Sequence, residues 1–277
     1  MKKGIRLLVA VNWIFLVLMS LSSYFDGVVG ELLYLLAFAL SFCFGWLGAR
    51  RLRYEREEER GLSETDYPRL GIDASGARLV LPLIAPTVAA VFLVALLTSL
   101  LLNFLGASSA PVADEPIWKM LLVHALAPAL LEEMLFRYIP LKVLYPYSPR
   151  AAVLLSSLFF ALIHLDLYKM PYAFIAGVIF ALADVITGSV LPSLAIHLLN
   201  NASSLLLMKY GASPAFTLWF YITLGALVIV SVAFLVIYRE NYRDGIRNAF
   251  SGVMQLDASV LVISLTCATI ALLNIVG

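Results

Sequence analysis

Ala215–Tyr238 reads AFTLWFYITLGALVIVSVAFLVIY, 24 consecutive residues without a charge. A helix of that length reaches ~36 Å, more than the ~30 Å hydrocarbon core of a bilayer. Similar charge-free runs recur along the chain. They are Leu7–Phe25, Leu32–Ala49, Leu79–Leu105, a run beginning at Ile117, Ala151–Leu165, Tyr172–Ile186, Val190–Met208 and Ala258–Val276. Of the 277 residues 62% are apolar and only 13% charged, with mean hydropathy +0.95. The charged share is about half the ~25% of a soluble domain. A soluble globule, a disordered chain, collagen and a disulfide-stapled scaffold are excluded. The net charge of +1 gives no basic field for nucleic acid. Cys43 and Cys267 lie inside apolar runs and read as buried or lipid-facing thiols.

The reading is an all-α polytopic membrane helix bundle of nine spans, with eight as the alternative count. No ten-residue alternation suggests a barrel. Ser148-Pro149 and Ser213-Pro214 place an N-cap and a first-turn proline where helices should begin, and Asp257 is the expected N-cap of the last helix. Nine spans with the N-terminus inside put 16 Lys and Arg on inner segments against Lys119, Lys169 and Lys209 outside. The basic start at Lys2-Lys3 is read as flanking a retained span rather than a signal peptide, because the apolar run is long and Ser20–Ser23 is a poor cleavage site. The chain is expected to form one membrane domain, 1–277. Residues 1–116 hold three spans and an inner loop at 50–78, 117–209 the chemical core, and 210–277 the last two spans. The 50–78 loop reads as a solvated surface helix and linker.

Ionisable groups inside spans are costly and mark functional candidates. They concentrate in the middle third: His124, Glu132, Glu133, Arg137, His164, Asp166, Asp184 and His197, with Asn200 and Asn201. All three histidines are among them. In the run Leu131-Glu-Glu-Met-Leu-Phe-Arg137, Glu133 and Arg137 stand at i, i+4 and can pair. Glu132, turned ~100° away, is left as the carboxylate for general base work. Phe160 and His164 share a helix face, as do His197 and Asn201. A carboxylate with an imidazole can hold and deprotonate a water. An imidazole with an amide can stabilise the oxyanion formed when that water attacks a peptide carbonyl. Asp166 reads as a cap on the helix ending near His164. Asp184 reads equally well as a loop-entry or a cavity residue, and His124 as structural.

Glu-Glu-x-x-x-Arg on one helix, Phe-x-x-x-His on the next and His-x-x-x-Asn on a third resemble the CAAX protease and bacteriocin-processing (CPBP) family. This family includes the type II CAAX prenyl endopeptidases, also called Abi proteins. The resemblance covers residues 132–201. It implies an intramembrane peptidase with a cavity open to the cytoplasm, in the plasma membrane of a prokaryote. It implies that Glu132 and His164 activate the water, that His197 and Asn201 form the oxyanion hole, and that Glu133, Arg137 and Phe160 support them. The implied partners are the lipid bilayer and a membrane-associated peptide or protein, prenylated or not.

No cofactor is favoured. Zinc would need Glu132, His164 and His197 as ligands, which would consume the best base, and no His-Glu-x-x-His pair exists. Two competing readings are a proton-coupled transporter using Glu132 and Asp184, and a silent family member acting as an immunity or scaffold protein. Depth adds two expectations. His164 lies ~22 Å along its helix from Pro149, so the fourth helix must continue past Arg137 with Pro140 in or near its continuation. His197 is only ~10 Å from Val190, so the loop around Thr187–Val190 must be sunk into the protein.

Overall fold

A computed structural model describes residues 1–25, 27–60, 69–71, 74–104, 115–254 and 257–276. The helices are α1 (Lys2–Ser22), α2 (Gly27–Arg60), α3 (Ala74–Phe104), α4 (Ile117–Met120), π1 (Leu121–Leu126), α5 (Ala127–Glu133), π2 (Met134–Tyr138), α6 (Ile139–Leu144), α7 (Pro149–Leu162), α8 (Lys169–Thr187), α9 (Leu191–Tyr210), α10 (Pro214–Ile237), α11 (Arg239–Ala249) and α12 (Ala258–Val276). Among the described residues the only β pairing is an isolated bridge between Arg69 and Ser189. The all-α class stands, and each of the nine apolar runs contains helix.

Among the described residues six helices are long and apolar enough to cross a membrane: 2–22, 29–56, 76–101, 169–187, 191–210 and 214–237. α7 has 14 residues, ~21 Å of helix and less than the hydrocarbon thickness. The six long helices support a multi-pass membrane protein, and the count of nine stays an expectation of the sequence. The outward face of α10 is almost wholly apolar, with Leu218, Trp219, Ile222, Ile229 and Val236 exposed, as lipid contact requires. α2 continues to Arg60, so the start of the expected inner loop is helix. Residues 61–68 and 72–73 of that loop lie outside the described residues.

Helix starts follow local chemistry. The Ser148 hydroxyl accepts from Ala151 N at 3.2 Å, and that of Ser213 from Phe216 N at 3.5 Å. Asp257 accepts from Ser259 N at 3.1 Å, as its N-cap position demands. The helical residues do continue past Arg137, with Pro140 in the first turn of α6. Both π segments lie just before a proline, Pro128 or Pro140. Proline has no N–H for the carbonyl four residues back and its ring crowds that carbonyl, so a widened turn accommodates it.

The chain divides into two compact units, each built from separated stretches. The first comprises 1–68, 134–177 and 249–277. Its core is aromatic: Phe15 packs on Phe38 with centroids 4.6 Å apart and on Phe136 at 5.7 Å. Gly45 lets α2 close on this core, since a Cβ there would stand 3.2 Å from both Ile139 and Val11. Arg56 is buried, with Nη1 donating to Val143 O at 3.3 Å and the guanidinium 5.1 Å over the Tyr147 ring. It serves carbonyls at the C-terminal end of α6, which have no intrahelical donor.

The second unit comprises 69–133 and 178–248. Phe92 of α3 meets Phe220 of α10 at 5.8 Å, and Tyr242 of α11 donates to the Pro82 carbonyl of α3. The turn between α8 and α9 is sunk, as depth required: Thr187, Ser189 and Val190 are buried. Arg69 clamps it, donating from N to Gly188 O at 2.8 Å and accepting from Val190 N at 2.9 Å. Gly188 takes φ +69°, a conformation glycine adopts without penalty.

Candidate active site

In the second unit, α5 and α9 bring two carboxylates to one imidazole. His197 Nδ1 is 2.8 Å from Glu133 Oε1, and Nε2 is 3.8 Å from Glu132 Oε2. A carboxylate only accepts, so the short contact places a hydrogen on Nδ1 and leaves Nε2 as the nitrogen turned to Glu132. Phe180 of α8 stacks on the ring at 5.3 Å and 29°. The Glu133 side chain is 2% exposed and that of Glu132 14%, so Glu132 is the more accessible acid. Asn200 is buried and donates from Nδ2 to Asn201 Oδ1 at 3.4 Å.

Spacing alone named Arg137 as the partner of Glu133. In the structure His197 engages Glu133, from 64 residues away. Sequence reasoning also passed over Phe180, which looks like any other phenylalanine of an apolar span. Asn200 was visible as a polar residue in a span, but only its burial separates it from Asn201.

Asp184 is a loop-entry residue. It is buried, and its Oδ1 accepts from Ser193 N at 3.0 Å, closing the first turn of α9. Asp166 is a cap, but of the helix that follows: its Oδ1 accepts from Tyr168 N at 2.9 Å and Lys169 N at 3.2 Å, at the start of α8. That reverses the expected end, because a carboxylate satisfies N–H groups and a helix C-terminus offers none. His124 lies exposed in π1.

The other motif residues belong to the first unit. Arg137 is fully buried, and its guanidinium lies 4.5 Å over the Phe160 ring. Its Nη1 donates to Phe136 O at 2.9 Å, a carbonyl that Pro140 cannot serve in an α-helix, and to Ser156 O at 3.5 Å. Phe160 meets the His164 ring edge to face at 5.2 Å. His164 Nδ1 donates to Phe160 O at 2.9 Å. The carbonyl fixes that hydrogen on Nδ1, so Nε2 of the neutral ring carries a lone pair. His164 also lines a cavity of about 460 Å³ with Leu165, Asp166, Tyr168, Ala271 and Asn274.

Among the described residues, no three His, Cys, Asp or Glu side chains form a group suited to a metal ion. Within the second unit the arrangement is an oriented imidazole with an accessible carboxylate beside it, groups suited to acid–base work.

This is an all-helical membrane protein with buried carboxylate–imidazole chemistry. Residues 113–203, about a third of the chain, match the family described as Type II CAAX prenyl endopeptidase Rce1-like. The match encloses all three motifs, so the resemblance read from them is borne out. Neither the curated proteins nor the solved structures compared with the chain include a match.

Proposed function

We propose that the protein is an intramembrane endopeptidase hydrolysing a peptide bond of a membrane-associated substrate. The observation that carries the reading is His197 held between Glu133 and Glu132. Glu132, the more exposed acid, takes a proton from water as that water attacks the scissile carbonyl. The motif resemblance, not geometry, assigns His164 to the same water and Asn201 to the oxyanion. Glu133 holds the His197 ring by Nδ1, which aims Nε2. To donate to the oxyanion, Nε2 must itself carry a proton, and Glu132 is the neighbour able to pass it one. Collapse of the tetrahedral intermediate expels the amine, which takes up the proton.

The N-inside orientation, a cavity facing the cytoplasm of a prokaryote and a prenylated substrate belong to the same proposal. The charge asymmetry supports the first, and the family description supports the last. Zinc on Glu132, His164 and His197 is the competing arrangement, and activity lost on exhaustive chelation and regained only with zinc would favour it.

The test is cleavage of prenylated and unprenylated tetrapeptide-tailed substrates by purified protein. Glu132→Gln and His164→Ala are each expected to cost about 10²-fold or more in kcat. Undiminished cleavage in both variants rules out this site. Proton-coupled uptake lost in the same variants, with no cleavage in the wild type, would favour a transporter.

A further inference from the structure

We infer that Asn274 is a positioning residue for His164, acting through the backbone of Leu165. The inference rests on the reading of His164 as part of the peptidase site. Leu165 has φ +47°, and among the described residues it is the only non-glycine with positive φ. An L side chain in that region crowds its own backbone, so the conformation needs an external hold. Asn274 provides one: its Nδ2 donates to Leu165 O at 3.1 Å, reaching across 109 residues of sequence.

The neighbours of Leu165 are what this hold secures. On one side, His164 directs Nδ1 to Phe160 O at 2.9 Å. On the other, Asp166 caps α8 through Tyr168 N and Lys169 N. Leu165 alone connects these two fixed points. If it relaxed to negative φ, the chain would have to re-aim either the imidazole or the cap. Asn274 and His164 also line one cavity, so the anchor stands beside the ring it steadies. An amide near the end of an apolar helix is dearer in a bilayer than leucine, which argues for a task at this position. Asn274 lies outside the matched 113–203, so this anchor is not supplied by the matched stretch.

The experiment combines turnover with ¹⁵N NMR of the histidine rings, of which the chain has three. Asn274→Leu is expected to lower kcat about tenfold with KM within about twofold. The His164 ring should change from a single Nδ1–H form to a mixture of tautomers. Asn274→Asp, which removes the donor at constant size, should do the same and serves if the leucine variant does not fold. Adding Leu165→Gly should restore both readouts, because positive φ carries no steric cost for glycine. Unchanged turnover and ring spectrum in the Asn274 variants overturn the inference, as does failure of Leu165→Gly to restore either readout. If the wild type cleaves no peptide, the peptidase reading falls. The ring spectrum then still decides the positioning role, upheld by a tautomer change and overturned by none.

Discussion

His197 turns Nδ1 to Glu133 Oε1 at 2.8 Å, which makes the second acid of the Glu-Glu pair the orienting one. The first acid, Glu132, stands 3.8 Å from the other ring nitrogen. Two adjacent carboxylates on one helix thus hold different positions around a single imidazole. Stacking on Phe180 limits the ring's freedom to turn between them.

This division of labour is testable by amide substitution. Glu133→Gln keeps an oxygen acceptor for Nδ1–H, and is expected to lower kcat about 10- to 100-fold, as loss of an orienting partner does. Glu132→Gln removes the proposed base and should cost more. Turnover numbers for the two variants check the order, and an inverted order would exchange the roles.

Asp184 closes the first turn of α9 through Ser193 N. Asp184→Ala should lower stability by about 1–2 kcal/mol, the worth of a helix cap. Asp184→Asn, which keeps an acceptor oxygen, should be milder and hold kcat within about threefold. Thermal unfolding in detergent, run beside the peptidase assay, measures both. A collapse of turnover in the asparagine variant at unchanged melting temperature would point to a proton-relay role.

Arg56 gives charge-assisted hydrogen bonds to Val143 O and Lys142 O at the end of α6. Arg56→Met removes them and should destabilise by about 1–3 kcal/mol. Arg56→Lys should fall between the two, since an ammonium cannot reproduce the planar fork. Denaturation midpoints would show the ranking wild type, lysine, methionine.

Asp257 gives a pH dependence of known sign. The hydroxyl and amide of Ser259, then Arg6, hold its carboxyl below the usual carboxylate range. A depressed folded value means the charged form stabilises the fold. That contribution is complete above the ordinary aspartate value of 3.8 and is lost as pH falls through the lowered one. Asp257→Asn should therefore unfold more readily than wild type at neutral pH, with the gap closing in strong acid. Melting temperatures of the pair across that range check it, and a constant gap would contradict the assignment.

Much of this architecture is legible in local sequence. The starts of α7, α10 and α12 follow from Ser148, Ser213 and Asp257, because a cap acts over two or three residues. The sunk turn at Thr187–Val190 follows from counting residues to His197, since helical rise is constant. The reach of Asp166 toward α8 rather than back to α7 was equally local, and was misread by direction only.

What the sequence determined by itself is the solvent and the inventory. Its apolar runs require a bilayer, and its few ionisable groups within them mark Glu132, Glu133, Arg137, His164 and His197 as candidates for the chemistry. Tertiary structure decided the pairings. Glu133 meets His197 across 64 residues, and Asn274 meets Leu165 across 109. The π turns before Pro128 and Pro140 alter the angular phase of the helix that carries the acids, so α-helical spacing cannot assign their partners. Periodicity and capping are properties of neighbouring residues, whereas a hydrogen bond between distant helices depends on how those helices pack.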